Sequence, residues 1–511
     1  MSNAVRLPRH RVCAQVLALI CCLLSCGEPS SEPTARPNVL FVVLDTLRPD
    51  HLGLHGYERP TSPNLDAFAE QCLVFDAAQS AAPWTAPALI SLMTSLYPDA
   101  HAVTDYPDPG RLSNAATTLA EILSDEGYAT AAFTEGAYAS GVFGLDKGFD
   151  LFPPPPESDM ASRIAPNIDR FLAWLGTHDQ AQPFFALFHT YEPHTPYHAP
   201  PEFVELMKPG YDEVAEHARR DEIVARWNRD KFLDREDLQF VYHHNFHCSD
   251  ELRQTVDDVP GMFSLALQYR VGARDGQGPT PQEVATDYYD AEIRYADDQM
   301  QRVWSALDDL DLADNTIVII ISDHGEGLGE HGLTARHGKS LHDELLRIVL
   351  MMRVPGRGYT PRRIPGIVRS VDVMPTVLEL TGTSLDGVKF QGESLVPLME
   401  GRASERVAYS HAASTSRPQS ASHTLRTGRW RLLNRVGWDS PQLFDLEADP
   451  GARVDVSVEH PEVVRRLTAL LEAQMAQDRL LGQLFKDNAR DTPLSDEQLE
   501  ELRALGYVGD G

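Results

Sequence analysis

The amino-acid sequence predicts an α/β fold: a mostly parallel central sheet flanked by helices, followed by a smaller C-terminal α+β subdomain. Three observations carry this. The runs NVLFVVL (38–44), FFALFH (184–189) and TIVIIIS (316–322) are apolar, rich in β-branched and aromatic residues and do not alternate, as strands buried on both faces do not. Between them, 114–127 and 290–310 place apolar residues three and four apart, the spacing of amphipathic helices. After about residue 400 the pattern shifts to short alternating segments, HTLRTGRWRLLNR and QLFDLEADPG, and then to PEVVRRLTALLEAQMAQ. These read as an antiparallel sheet closed by a helix.

Taken from the amino terminus, Arg6, Arg9 and Arg11 form a basic region, and Val12 to Leu24 an apolar stretch too short to cross a bilayer as a mature helix. The stretch ends Leu23-Leu24-Ser25-Cys26, which resembles a bacterial lipobox. Residues 1–26 are therefore expected to be a signal peptide whose cleavage leaves a lipid-modified Cys26 as the first residue, the alternative being a plain signal peptide cut nearby. Residues 27–36, GEPSSEPTAR, have the composition of a flexible tether. The expected location is the bacterial cell envelope, exported, with membrane contact through the N-terminal lipid. A catalytic α/β domain over 37–400 and the subdomain over 401–511 follow, with the polar, acidic stretch 201–285 as an insertion or lid.

The chain has 511 residues, with 45 Lys and Arg against 75 Asp and Glu, a formal net charge of −30. That balance excludes a nucleic-acid footprint, which needs clustered cations. An anionic substrate would need local positive charge, most cheaply a metal ion. Of six cysteines, only Cys72 and Cys248 lie beyond the leader, so a disulfide scaffold is not expected.

In sheets of this kind ligands sit beyond the carboxyl ends of the strands. The first apolar run ends in Asp45 and the third in Asp323-His324, followed by Gly325, Gly327 and Gly329, which permit close backbone approach. Two carboxylates and an imidazole at strand ends form a ligand set for one divalent cation, with the histidine favouring Mn²⁺ or Zn²⁺ over an all-oxygen Ca²⁺ site. In APWTAPALISLMTSLYP (82–98), Pro87 and the spacing after it place Thr85 just before a helix. Of two alternatives, a helix N-cap or a nucleophile whose hydroxyl touches the metal, spacing alone favours the cap. His243 and His247 share a face if 241–248 is helical, but without a partnering carboxylate motif the segment reads as an exposed histidine-rich loop.

The segments NVLFVVLDTLRPDHLGLHGY, WTAPALISLMTSLYPDAHAV, FGLDKGFD, FHTYEPHTPY, YYDAEIRYADDQM, NTIVIIISDHGEGLGEHG, HGKSLHDELLRIVLMMRVPG, LFDLEADPG and LRALGYVG, in this order over nearly all of 38–511, resemble the sulfatase family of the alkaline phosphatase superfamily. The resemblance implies an alkaline-phosphatase-like sheet and an ester hydrolase. It places Asp45, Asp323 and His324 on metal-ligand positions and Thr85 on the nucleophile position. His194 falls where a histidine assists the leaving group or oxyanion, and Lys339, with His337 nearby, where a lysine contacts the substrate anion.

The chain departs from the family pattern in three places. Sulfatases convert Cys or Ser within C/S-x-P-x-R to formylglycine; here the residues are Thr85-Ala86-Pro87-Ala88-Leu89. The methyl on a threonine β-carbon precludes that aldehyde. Thr46 replaces a second aspartate and His324 an asparagine, and TEGAYASGVFGLDKGFD lacks the Lys and His of the family's GKWHLG segment. A threonine nucleophile is instead the arrangement of phosphodiesterase and phosphoethanolamine-transferase relatives. Those generally use two metals, but Asp290 is followed four residues later by Arg294, not histidine, so one ion is expected, with His189 and His337 leaving room for a second. The expected activity is hydrolysis of a sulfuric or phosphoric ester, with one divalent ion, Mn²⁺, Zn²⁺ or Ca²⁺. The expected partner is an anionic ester, a glycan or lipid head group. The alternatives are a phosphodiesterase or head-group transferase, and a degenerate glycan-binding surface protein.

Overall fold

β1 (Asn38–Leu44) is buried along its whole length, and its side chains alternate between two cores. Val39, Phe41 and Val43 enter the core on one face of the sheet, Leu40, Val42 and Leu44 the core on the other. A strand that must be apolar on both faces cannot alternate in sequence, which is why the run reads as continuous. The computed structural model of the chain describes residues 36–105, 109–156, 163–215, 281–332, 334–338, 340–402, 404–413 and 421–488, with Met1 and positions 218, 222, 225, 229 and 502. The leader, most of 201–285, Lys339, His243, His247 and Cys248 lie outside these described residues.

The other strands of the main sheet are β2 (Leu73–Gln79), β3 (Ala129–Phe133), β4 (Phe184–Thr190), β5 (Thr316–Ile321), β8 (Arg347–Ile348), β9 (Leu350–Arg353) and β10 (Arg362–Arg369), while β6 (Gly327–Leu328) and β7 (Thr334–Arg336) form a separate two-stranded ribbon. The main sheet has eight strands in the order β10-β2-β9-β5-β1-β4-β3, with β8 paired to β2. β3, β4, β1 and β5 run parallel to one another, but β9 is antiparallel to both β5 and β2. The sheet is thus mixed, its parallel half holding the three apolar runs.

Helices cover both faces. α1 (Thr85–Thr94) is wholly buried and contributes Ala86, Leu89, Ile90 and Met93 to one core; the short α2 (Pro98–His101) follows it. α3 (Ile164–Thr177) buries Ile164, Ile168, Phe171 and Leu175 on the opposite face, a stripe at spacings of four, three and four. α4 (Pro281–Asp309) packs on the same face through Tyr288, Tyr289, Met300, Val303 and Leu307. It starts nine residues before the helix expected from 290, inside the end of the stretch expected as an insertion. The helix expected over 114–127 spans only Leu119–Asp125, because Thr118 and Glu121 close a capping box that sets its start.

The C-terminal sheet is antiparallel and sequential: β11 (Ala408–Ala412), β12 (Ser422–Arg426), β13 (Trp430–Arg435) and β14 (Gln442–Asp445). α5 (Pro461–Gly482) packs on it through Leu467 and Leu471, which meet Tyr409, Leu425, Leu432 and Leu443. This sheet docks on the main one by hydrogen bonds as well as apolar contact. The Ser410 hydroxyl donates to the Ser80 carbonyl at 2.6 Å, and the buried Arg431 guanidinium donates to Gln79 Oε1 at 3.1 Å and pairs with Asp343. Cys72 is buried as a free thiol.

Candidate active site

β1 lies between β4 and β5 and is parallel to both, so the carboxyl ends of all three emerge together. The register pairs Val43 with His189 on one side and Ile321 on the other. Asp45 follows one residue after β1, its N–H bonded to the Thr190 carbonyl at 3.0 Å, and Asp323-His324 leave β5 beside it. The sheet's topology, not local sequence, brings two carboxylates 278 residues apart in the chain to one edge.

Thr85 is the first residue of α1, not its cap: Trp84 occupies the cap position, and no side chain caps the helix. The N-cap alternative is therefore overturned. The Thr85 hydroxyl donates to Asp45 Oδ2 at 3.1 Å and lies 3.4 Å from His324 Nε2. His324 Nε2 in turn stands 3.4 Å from Asp45 Oδ1 and 3.5 Å from Asp323 Oδ2, and His189 Nε2 stands 3.4 Å from Asp45 Oδ2. All five side chains are buried.

Thr46 holds this loop in a left-handed conformation, φ 58°, rare for a β-branched residue. Its N–H donates to Asp323 Oδ1 at 3.3 Å and its carbonyl accepts from the Tyr289 hydroxyl at 2.7 Å, while Tyr289 also accepts from the Arg48 N–H at 2.9 Å. Helix α4 thereby pins the loop that presents Asp45. On the facing loop a Cβ at Gly325 would sit 2.2 Å from the Glu344 carbonyl oxygen, so the chain can pass there only as glycine. The Arg48 guanidinium joins the two loops, donating to the Glu326 carbonyl at 2.9 Å and to Asp50 and Glu330.

Histidines line the rest of the site. The His337 ring lies 4.7 Å from the rings of both His324 and His194. His337 Nδ1 is 3.4 Å from Glu326 Oε1, and His194 Nδ1 contacts the Thr195 carbonyl. A carbonyl accepts only, so His194 is protonated at Nδ1 and its Nε2 is an acceptor. Burial, aided by neighbouring histidines, pushes His194 and His337 well below the ordinary imidazole range. Burial likewise lowers His189 to about 4 against the pull of Asp323. Burial raises Asp45 well above the carboxylate range, and the Asp323 charge adds to it. For His324 burial opposes the charge, but Asp323 and Asp45 outweigh it and raise the ring. Burial raises Glu326 to about 8, against His324 and Arg48.

The donor set fits a divalent ion. Among the described residues, Asp45 Oδ1, Asp323 Oδ2 and both His189 nitrogens are buried without a hydrogen-bond partner, an arrangement native cores avoid unless something else satisfies the atoms. The spacings of 3.1–3.5 Å between oxygen and nitrogen atoms match the edges of a coordination shell: bonds of about 2.1 Å give edges of about 3.0 Å in an octahedron and about 3.4 Å in a tetrahedron. One carboxylate oxygen of Asp45, one of Asp323 and a ring nitrogen of His189 all lie within 4.8 Å of one another.

Of the residues expected from sequence, Asp45, Asp323, His324 and Thr85 meet directly, His337 stands one ring away and His194 behind it; Lys339 is outside the described residues. His189, expected only as room for a second ion, stands instead with Asp45 and Asp323 in the candidate ligand cluster. Its signal was its position at the end of the FFALFH run, level with the last residues of β1. Glu326 was missed because nothing in a glycine-rich loop distinguishes a buried glutamate from a solvated one.

The Sulfatase family model matches residues 37–383, and the model of the N-sulphoglucosamine sulphohydrolase C-terminal region matches 329–479. Fold and site thus define a sulfatase-like ester hydrolase of the alkaline phosphatase superfamily, a group generally dependent on metal. The chain belongs to the sulfatase family. It is similar to N-acetylglucosamine-6-O-sulfatase of Bacteroides thetaiotaomicron, 23% identical over 517 residues covering 92% of this chain and 90% of that protein. Among solved structures it resembles phosphonate monoester hydrolase of Agrobacterium radiobacter, with TM-score 0.65 and 21% identity, covering 87% of this chain and 96% of that one. An enzyme solved with its substrate D-glucosamine-2-N,6-O-disulfate gives TM-score 0.66 and 20% identity, covering 86% and 98%.

Proposed function

We propose that the protein hydrolyses a phosphoric ester through a covalent intermediate on Thr85, with one divalent ion held by Asp45, Asp323, His324, His189 and the Thr85 hydroxyl. The observation that carries this is the position of Thr85: buried, at the start of α1, with its hydroxyl 3.1 Å from one ligand carboxylate and 3.4 Å from the ligand imidazole. The ion, when bound, offsets the two carboxylates, makes the hydroxyl more acidic and draws charge from the ester oxygens. Thr85 Oγ1 attacks phosphorus, giving its proton to Asp45, and the ester oxygen leaves with the bonding pair and takes a proton from solvent. Water then attacks the threonine phosphate: its proton passes to His194 Nε2, the nitrogen left as acceptor, Thr85 Oγ1 takes back the proton held at Asp45, and phosphate leaves. The dipole of α1, whose positive end lies at Thr85, favours the transferring anion.

Phosphorus rather than sulfur is favoured by the threonine itself. Sulfated formylglycine collapses by elimination from its second hydroxyl; a threonine ester has no such hydroxyl and must be hydrolysed directly. A sulfated sugar is the second reading, favoured by the similarity to N-acetylglucosamine-6-O-sulfatase. We further propose that Cys26 carries a lipid that anchors the protein at the cell envelope, and that Lys339 contacts the substrate anion.

Metal-loaded protein tested on aryl sulfate, phosphate monoester, phosphodiester and phosphonate decides between the readings. Turnover of a phosphorus ester lost in Thr85→Ala is expected. Sulfate turnover alone favours the second reading, and glycan binding with no turnover of any substrate would mark the degenerate binder.

A further inference from the structure

Away from Thr85, three ligand-type side chains converge where the C-terminal sheet meets α2. Asp99 comes from α2, and His411 and His423 come from β11 and β12, where the register sets them directly opposite each other. Opposed residues on one face of an antiparallel pair bring their side chains into contact; here the two imidazoles stack, with centroids 4.4 Å apart and planes 5° from parallel. His411 Nδ1 stands 3.0 Å from Asp99 Oδ1, and His423 Nε2 3.0 Å from Asp99 Oδ2. Despite that distance His411 Nδ1, on a side chain 5% exposed, is not aligned for a hydrogen bond. The Tyr409 hydroxyl donates to Asp99 Oδ2 at 2.8 Å and orients the carboxylate.

A second carboxylate completes the cluster's charge. Asp478 of α5 is fully buried and interacts electrostatically with Asp99 and His411. Its Oδ1 accepts from the Gln391 and Gln474 amides at 2.6 and 2.8 Å, and its Oδ2 has no hydrogen-bond partner among the described residues. Two carboxylates in a largely dry joint with two imidazoles are balanced best by one compact double charge.

We propose that Asp99, His411 and His423 bind a divalent cation of the Zn²⁺ type that ties the C-terminal sheet to α2. Two imidazole nitrogens and one carboxylate favour a borderline ion over Ca²⁺ or Mg²⁺. Asp99, 24% exposed, leaves the ion a solvent-facing side. Parallel rings cannot both aim in-plane lone pairs at one point, so binding turns one imidazole about its soft Cβ–Cγ torsion.

The test uses the full chain carrying Asp45→Asn and Asp323→Asn, which disable the Thr85 site. After chelation and dialysis against Zn²⁺, elemental analysis should read one ion per chain, and the melting temperature should rise with Zn²⁺ concentration. Adding His411→Gln and His423→Gln should abolish uptake, and Asp99→Asn should weaken it by about tenfold or more. If the histidine variants fail to fold, the absorption of the Co²⁺-loaded parent decides, a ligand-field band of low coordination number being expected. No Zn²⁺ uptake by the parent, uptake unchanged by the histidine substitutions, or no such Co²⁺ band would overturn the proposal and leave a carboxylate seated between two imidazoles.

Discussion

Replacing Tyr289 by Phe tests how the site loop is held. The ring is fully buried and its hydroxyl serves two backbone groups, accepting from the Arg48 N–H at 2.9 Å and donating to the Thr46 carbonyl at 2.7 Å. Phe preserves the packing and strands both groups in the interior. A buried donor or acceptor left unsatisfied costs about 1–3 kcal/mol, so the pair should cost about 2–4 kcal/mol after partial relaxation. Thr46 also carries backbone strain of order 1–3 kcal/mol that these bonds help to hold, so the loop should relax and carry Asp45 off its ligand position. Urea unfolding should therefore show a lower midpoint with unchanged slope, and metal titration a loss of affinity of about 10–100-fold. A stability change below about 0.5 kcal/mol with metal affinity intact would refute the reasoning.

Three further outcomes are expected. Thr46→Asp should fold, since aspartate tolerates left-handed backbone better than a β-branched residue, and by adding an oxygen donor should tighten Ca²⁺ relative to Zn²⁺ in competition titrations. Asp343→Ala leaves the buried Arg431 guanidinium without its carboxylate and, with Asp343 itself 25% exposed, should cost about 3 kcal/mol in urea unfolding. His101 is buried and neutral, accepting from the Val103 N–H at 3.1 Å and donating to the Ser91 hydroxyl at 3.0 Å, and burial holds it at about 3. Its folded value lies below the ordinary value of about 6.5, so the stability it contributes is present above about pH 6.5 and is lost as pH falls towards about 3, by up to about 1.4 kcal/mol per unit. In unfolding measured against pH, His101→Gln should flatten the slope over that window.

Much of the fold was legible because strands buried on both faces must be apolar throughout, and NVLFVVL, FFALFH and TIVIIIS are. The antiparallel β9 was not legible: a four-residue strand carries too little pattern to reveal its direction. The candidate ligand cluster was legible where it follows a strand end, as at Asp45 and Asp323-His324. His189 faces the same cluster from the third strand end, but one histidine in an apolar run gives no sign of which way it points without the register that sets it beside Val43. The strain at Thr46 and the meeting of Asp99 with His411 and His423 depend on backbone torsion and cross-strand register, neither of which a single sequence encodes visibly.

The claim on which the account turns is that the Thr85 hydroxyl, held among Asp45, Asp323 and His324, bonds covalently to the substrate's anionic centre. Rapid acid quench of the metal-loaded protein turning over an activated phosphorus ester, followed by intact-mass and peptide analysis, tests it directly. One phosphoryl group on the peptide containing Thr85, absent in Thr85→Ala, is the predicted result. Undiminished turnover by Thr85→Ala, or an adduct on another side chain, would contradict it.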